Sequence, residues 1–315
     1  MKVWQNPSDC LNFRAQSRVE ETALTIGNFD GVHRGHQELL KRVVAAANQR
    51  GLFSMLLTFH PHPLQILSPE KQHTRLFSLE DQQERLAASG LQGVLRQPFS
   101  RQFSETAARD FLQNYLLKFF QPRALIVGHD FSFGAHRMGN LELLRDFCQR
   151  EKIELEAVPP LEIEGEIVST SRIRENLLSG KLDQAEKMLG RKYYLKGIVE
   201  KGDKRGRQLG FPTANVRPDV DFYPKTGVYA CLVRLPDSRY RKAVMNVGMN
   251  RTFVEGDHNP IKVEVHLFDF SEDIYGQTIQ VELCHYLREE RKFPSIADLK
   301  LQIEQDIVRA QEILK

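Results

Sequence analysis

His33 and His36 lie three residues apart at the end of the run Gly27-Asn28-Phe29-Asp30-Gly31-Val32-His33-Arg34-Gly35-His36. Two imidazoles at that spacing can each donate a hydrogen bond to a phosphoryl oxygen and stabilise charge that builds as phosphorus is attacked. An apolar strand-like segment precedes the run, and Gly27 and Gly31 allow a sharp turn and close backbone approach. After Gly35, Leu39, Leu40, Val43, Val44 and Ala47 mark one face of a helix, whose first-turn amides favour an anion. A bare histidine pair is more often a solvated one. Strand, glycine turn and Asp30 within ten residues make phosphate the better reading, and no G-x-x-x-x-G-K-[ST] or G-x-G-x-x-G competes with it. The chemistry indicated is nucleotidyl transfer at an α-phosphorus, with ATP as donor.

Three further groups carry chemical potential. Ser169-Thr170-Ser171-Arg172-Ile173-Arg174 sets three hydroxyls and two arginines before a helical run; the arginines, two apart, do not share a helix face, so one of them points at phosphate. A helix cap and a solvated face would explain the same residues. In Gly206-Arg207-Gln208-Leu209-Gly210-Phe211-Pro212-Thr213-Ala214-Asn215, glycines at 202, 206 and 210 suggest a flap over phosphates. Pro212 fixes the backbone there, and in an extended chain Thr213 and Asn215 point the same way, two hard oxygen ligands suited to Mg2+ carrying ATP. Strict alternation in Ile261–Phe268 puts Glu264 on the face opposite Ile261, Val263, Val265 and Leu267: an exposed strand carboxylate, or a general base for an attacking hydroxyl.

These groups need elements to hold them. Strands are expected at 22–27, 52–59, 91–95, 123–128 and 153–158, alternating with helices at 36–50, 79–89 (opened by Ser78), 105–119 (after Ser104) and 140–150. That is an α/β domain with a parallel sheet, its ligand loops following Ile26, Phe59 and Val127. Beyond Gly190 the pattern turns to short strands at 194–200, 228–235, 240–247, 261–270 and 278–284, an antiparallel barrel closed by a helix from Ser295 to about Leu314. The helical stretch 181–192 joins the two, giving domains 1–187 and 188–315.

Length suffices for two cores. The 44 Lys and Arg barely exceed 41 Asp and Glu, a net charge of +3 that fits small anionic ligands and offers no basic footprint for nucleic acid. Four cysteines lie far apart without C-x-x-C, which points away from zinc and disulfide frameworks. With no apolar signal core and no membrane-length apolar run, a cytoplasmic protein is expected, a monomer or weak homo-oligomer without membrane partners.

From Gly27 to His36 the chain resembles the bacterial bifunctional riboflavin kinase and FAD synthetase (FMN adenylyltransferase) family, whose first half carries G-N-F-D-G-V-H-x-G-H. The resemblance extends through V-G-x-D-F-x-F-G at Val127–Gly134, then G-R-x-x-G-x-P-T-A-N, G-V-Y-A at Gly227–Ala230 and V-E-x-H-L, all in order over about residues 20–315. It implies a Rossmann-like nucleotidyltransferase domain followed by a β-barrel kinase domain. Riboflavin and ATP would give FMN in the barrel; FMN and ATP would give FAD and pyrophosphate in the first domain, with Mg2+.

It also implies site residues. His33 and His36 are catalytic, and Gly27, Asn28, Phe29, Asp30, Gly31, Gly35, Ser169, Thr170, Ser171 and Arg174 hold ATP. His62, Pro63, Asp130, Phe131 and Phe133 line the flavin-nucleotide pocket. In the kinase, Gly206, Arg207, Gly210 and Pro212 hold phosphate, Thr213 and Asn215 the metal, and Glu264 is the base. The sequence departs from the family's I-S-S-T-x-I-R by reading Val-Ser-Thr-Ser, with a hydroxyl kept at each position, and carries Arg251 where proline is frequent, implying a looser loop. Two rivals stand beside this reading: a chain with one active half only, and a nucleic-acid binder, since an H-x-G-H turn on an α/β domain is also similar to class I tRNA synthetases.

Overall fold

The computed structural model describes the 315-residue chain except residues 18, 20, 72, 203–205, 207–208 and 250–260. Arg207 and Arg251 therefore lie outside the described residues. The chain divides into two compact units, one of residues 1–74 and 79–168, the other of 75–78 and 169–315.

The first unit is built on six parallel strands: β1 (Lys2–Trp4), β2 (Thr22–Ile26), β3 (Phe53–His60), β4 (Gly93–Pro98), β5 (Pro122–Gly128) and β6 (Glu154–Val158), in the order β1-β4-β3-β2-β5-β6. Each ladder is parallel, with Leu24 opposite Met55 and Leu125. Because side chains alternate across a strand, Leu24, Ile26, Met55, Leu57, Leu125 and Val127 feed one apolar layer, while Ala23, Leu56, Val94, Ala124 and Ile126 feed the other beneath the helix Arg34–Arg50. Chain progression reverses direction between β2 and β5, so the crevice at their carboxyl ends is where an open α/β sheet takes its ligand.

The sequence reading missed β1 and the helix Pro7–Gln16. It also placed one helix at 105–119 capped by Ser104; instead Ser100 caps a short turn Arg101–Ser104, and Ala108–Phe120 follows with no side-chain cap and a π-helical stretch at Phe111–Leu117. Ser104 spends its hydroxyl on the Arg101 carbonyl, at 2.5 Å.

After the small hairpin of β7 (Glu162–Ile163) and β8 (Glu166–Ile167), the second unit opens with helices Thr170–Leu178 and Leu182–Leu189. Strands β9 (Tyr194–Glu200), β10 (Ala214–Pro218), β11 (Gly227–Arg234), β12 (Tyr240–Met249), β13 (Ile261–Leu267) and β14 (Thr278–Arg288) close a barrel in the order β10-β13-β12-β11-β14-β9. Alternate residues such as Tyr229, Met245, Val247, Val263 and Val265 are fully or almost fully buried and fill the barrel. The expected strand 261–270 ends at Leu267, and β10 was not foreseen as a strand. The helix Ile296–Ile313, capped by Ser295 Oγ on the Asp298 amide (3.1 Å), packs Ala310 and Ile307 against Val228, Ala230 and Val244.

Candidate active sites

In the first unit the loop after β2 is left-handed at Phe29 (φ 52°), Gly31 (φ 79°) and Val32 (φ 41°). Gly31 supplies the turn, as its type suggested. Gly27 has a different reason: a Cβ there would stand 3.0 Å from the Phe29 ring. That ring is 1% exposed and stacks on His36 at 4.6 Å, so Phe29 serves as packing while its backbone faces the turn.

The loop is fixed by side chains from elsewhere. Thr58 Oγ1 and Gln82 Nε2 each donate to the Asn28 carbonyl at 3.1 Å, Gln82 donates also to the Phe29 carbonyl at 3.1 Å, and Gln37 holds the Val32 carbonyl at 2.9 Å. None of these three was foreseen. Only the aliphatic periodicity of the helix Leu79–Ala88 was legible, and Gln82, 3% exposed, reads in sequence as a surface residue.

His33 is the N-cap of the helix Arg34–Arg50, two residues earlier than the expected start, its Nδ1 accepting the His36 amide at 3.3 Å. This orientation leaves the proton of a neutral His33 ring on Nε2. Gly35 is small because the His33 ring folds back over it: a Cβ would stand 3.2 Å from His33 Cε1. The two imidazoles stack with centroids 3.6 Å apart. Burial, and next the neighbouring His33, hold the His36 imidazole well below its ordinary pKa. Its Nδ1 is buried with no hydrogen-bond partner among the described residues, an orphaned polar atom beside an anion-favouring helix start. Asp30, 2% exposed, lies in the same turn.

The remaining predicted residues of this unit divide by role. His62 caps the short helix Pro63–Leu67, with Nδ1 accepting the Leu64 amide at 3.2 Å, and stacks on His73 at 3.9 Å. Phe133 belongs to the core, 5.7 Å from Phe111, while Phe131 stacks on it at 5.4 Å from a half-buried position. Asp130 is exposed at the end of β5, in the loop adjoining the β2 turn. In the second unit, Ser169 Oγ caps the following helix through the Arg172 amide (3.2 Å), Arg172 pairs with Glu175 (2.9 Å), and the Arg174 guanidinium lies 5.0 Å from the Phe222 ring.

The barrel carries a cleft of about 840 Å³ between its outer face and the terminal helix, within the usual ~300–1,000 Å³ of ligand pockets. Thr213, Asn215 and Glu264 all line it. Asn215 on β10 sits directly opposite Glu264 on β13, and Glu264 directly opposite Asn246 on β12. Three polar residues thus form a row across adjacent strands, of which sequence reading had assigned two. His266 Nδ1 donates to the Pro212 carbonyl at 2.8 Å and fixes the approach to Thr213.

Glycine is required over this row: a Cβ at Gly206 would overlap the Phe211 carbonyl oxygen and stand 3.1 Å from Thr213 Oγ1, and one at Gly202 would overlap the Asn215 amide. Gly210, at φ 93° with open space around it, makes the turn between them and Pro212. The opposite wall carries the apolar side chains of Phe293, Ile296, Leu299, Ile303 and Ile307, with Glu290, Arg291 and Lys292 beside them. Arg288 donates to both carboxylate oxygens of Asp306 (2.8–3.0 Å) and so ties β14 to the helix behind that wall.

A hydroxyl and an amide oxygen are hard donors and too few to cage a cation unaided, which is the donor set expected for Mg2+ completed by water and nucleotide phosphate. Among the described residues no group of three or more His, Cys, Asp or Glu side chains could hold a metal by itself.

Comparison with known proteins agrees with both halves. A family model described as FAD synthetase matches residues 15–172, and one described as riboflavin kinase matches residues 189–314. The chain is 39% identical to a bifunctional riboflavin kinase/FMN adenylyltransferase of Haemophilus influenzae over 93% of its length and 94% of that protein's. It is 37% identical to one from Escherichia coli K12 (95% and 94%) and 35% identical to one from Bacillus subtilis (91% and 90%). A crystal structure from Streptococcus pneumoniae described as a macrolide-efflux protein superposes with a TM-score of 0.85 at 30% identity, covering 98% of both chains. Among the described residues of the present chain no helix is long and apolar enough to cross a membrane. With two family models in tandem and relatives matched end to end, the chain belongs to the bifunctional riboflavin kinase/FMN adenylyltransferase family.

Proposed function

We propose that riboflavin is phosphorylated in the barrel cleft and that FMN is adenylylated at the crevice between β2 and β5. The observation that carries the first assignment is the row Asn215–Glu264 beside Thr213, facing an apolar wall. The flavin ring packs on that wall and Glu264 takes the proton of the attacking hydroxyl. Thr213 and Asn215 hold Mg2+ with ATP, and the family motif assigns Gly206, Arg207, Gly210 and Pro212 to its phosphates. The metal, when bound, neutralises phosphate charge and orients the nucleotide. Functional domains are placed at 1–187 and 188–315.

In the adenylyltransferase half, His33 and His36 donate to oxygens of the α-phosphate. The backbone from Gly27 to Gly31, the Gly35 backbone and the side chains of Asn28 and Asp30 shape the nucleotide site. What supports this is the pinned left-handed loop and the orphaned His36 Nδ1. Family motif carries the rest: Ser169, Thr170, Ser171 and Arg174 toward ATP, and His62, Pro63, Asp130, Phe131 and Phe133 toward the flavin nucleotide, with Phe133 acting through packing under Phe131.

The balanced charge and the small-molecule chemistry support a cytoplasmic enzyme, monomeric or weakly self-associating, without nucleic-acid or membrane partners. A time course with riboflavin and Mg-ATP, resolved into FMN and FAD, tests the proposal. FMN should appear first and FAD follow. A single product that never converts would mark one half as inactive.

A further inference from the structure

Glu264 has a second cross-strand neighbour whose chemistry the reaction has not used. On β12, Asn246 is directly opposite Glu264 on one side and Val228 of β11 on the other. Directly paired residues in an antiparallel ladder bring their Cβ atoms to about 4.5–5.5 Å, so an amide stands within a side chain's reach of the carboxylate. Along its own strand the same face carries Val244 and Gly248, both lining the cleft. Within the ladder the other neighbours of Asn246 are valines and a glycine, and the Glu290 carboxylate lies beyond Gly248.

Gly248 preserves the space into which the amide leans: a Cβ there would stand 2.8 Å from Asn246 Nδ2 and 2.6 Å from Glu290 Oε1. Asn246 is half-buried, and its side chain makes no hydrogen bond among the described residues. A half-buried amide beside a base, with no hydrogen-bond partner among the described residues, is available to a ligand atom.

We propose that Asn246 touches the substrate in the kinase reaction, its amide N–H donating to the oxygen of the terminal ribityl hydroxyl while Glu264 accepts that hydroxyl's proton. The oxygen then forms its bond to the γ-phosphorus, the bond from γ-phosphorus to the β-phosphate oxygen breaks, and ADP leaves with the electron pair. A donor on the attacking oxygen fixes its direction and stabilises the negative charge that grows there as the proton departs. The inference rests on the assignment of Glu264 as base.

The test uses the full chain and two ligands, riboflavin and riboflavin lacking only its terminal hydroxyl, with binding followed by quenching of flavin fluorescence. In Asn246→Ala, kcat for FMN formation should fall by roughly 10-fold to 100-fold. Riboflavin should bind about 3-fold to 10-fold more weakly, the size of one lost neutral hydrogen bond, while the deoxy analogue binds as before. Unchanged binding of the deoxy analogue, which needs the same barrel cleft, reports that the barrel remains folded. Asn246→Asp keeps the shape but replaces the donor with a second carboxylate; it should lose turnover similarly. Equal weakening of both ligands in Asn246→Ala, or unchanged kcat in both variants, would overturn the proposal. Normal turnover in Glu264→Gln would instead remove the base, leaving the difference between the two ligands to decide Asn246 by itself.

Discussion

The His33 ring accepts the His36 amide through Nδ1 and stacks on the His36 ring with centroids 3.6 Å apart, so the first histidine positions the second. The two substitutions should therefore differ. His36→Ala removes a proposed donor to the α-phosphate and should cut FAD formation by roughly 10²-fold to 10³-fold. His33→Ala removes a donor and a helix cap, and should in addition lower stability by about 0.5–2 kcal/mol. Conversion of riboflavin to FMN should stay near normal in both, measured in the same coupled assay. Parallel loss of both activities in a folded variant would contradict two separate sites.

The same pair predicts a pH dependence. Burial and the adjacent His33 keep His36 neutral in the folded chain, with its pKa well below the ordinary value of 6.5. Above 6.5 both folded and unfolded chains hold it neutral and nothing is lost. As pH falls below 6.5 the unfolded chain binds the proton first, and stability drops at up to about 1.4 kcal/mol per pH unit until the folded-state pKa is reached. Denaturant titrations at pH 7.5 and pH 5.5 should show a larger fall for the natural chain than for His36→Gln. Identical falls would mean that His36 protonates freely in the fold.

Gln82 offers a test of loop rigidity. It donates to two successive carbonyls, Asn28 and Phe29, at 3.1 Å each. Gln82→Leu keeps the volume and leaves those carbonyls short of a buried donor, a penalty of about 1–3 kcal/mol. The Michaelis constant for ATP in FAD formation should rise while that for ATP in FMN formation stays unchanged. Equal ATP constants in natural and variant chains would show that Thr58 and Gln37 hold the loop without it.

What could be read from sequence depended on whether the signal was local. The run Gly27–His36 announces its turn and helix because strand, glycines and periodic leucines follow one another directly, and β2, β3 and β5 came within a residue of their ends. Gln82 was invisible because its partners lie more than fifty positions away. β10 was missed because its alternation runs over only five residues, carries Asn215 and ends at Pro218, too short a signal by itself; its strand identity comes from pairing with β9 and β13. The same non-local pairing hid Asn246, whose meaning depends on the register with Glu264. Likewise the helix cap expected at Ser104 and the one found at Ser169 look alike in sequence, and only the backbone path makes one real.

The glycines above the kinase row are sensitive positions. A Cβ at Gly202 would overlap the Asn215 amide, so Gly202→Ala must displace a proposed metal ligand without touching Glu264. Mg-ATP binding, followed by calorimetry, should weaken about tenfold or more, the scale of one lost ligand or charge-assisted contact. Glu264→Gln should do the reverse, keeping Mg-ATP affinity and losing FMN turnover, since a transition-state interaction is removed and ground-state binding is not. If Gly202→Ala binds Mg-ATP normally, the metal belongs elsewhere in the cleft.

Arg288 and Asp306 decide whether the apolar wall stays in place. Asp306 is 5% exposed and receives Arg288 on both oxygens as well as Gln302 at 2.9 Å, joining β14 to the terminal helix whose Ile303 and Ile307 face the cleft. Removing Arg288 strands the buried Asp306 carboxylate, so Arg288→Met should destabilise the barrel by about 3–5 kcal/mol. Replacing both, as in Arg288→Met with Asp306→Leu, removes the stranded charge and the desolvation cost together and should restore most of that loss. The riboflavin Michaelis constant then separates two roles. A pair that only stabilises would leave it normal in the double variant. A pair that also sets the helix angle would leave it raised despite recovered stability. The fork geometry of the contact, two nitrogens on two oxygens, fixes orientation as well as distance, and so we expect the raised constant.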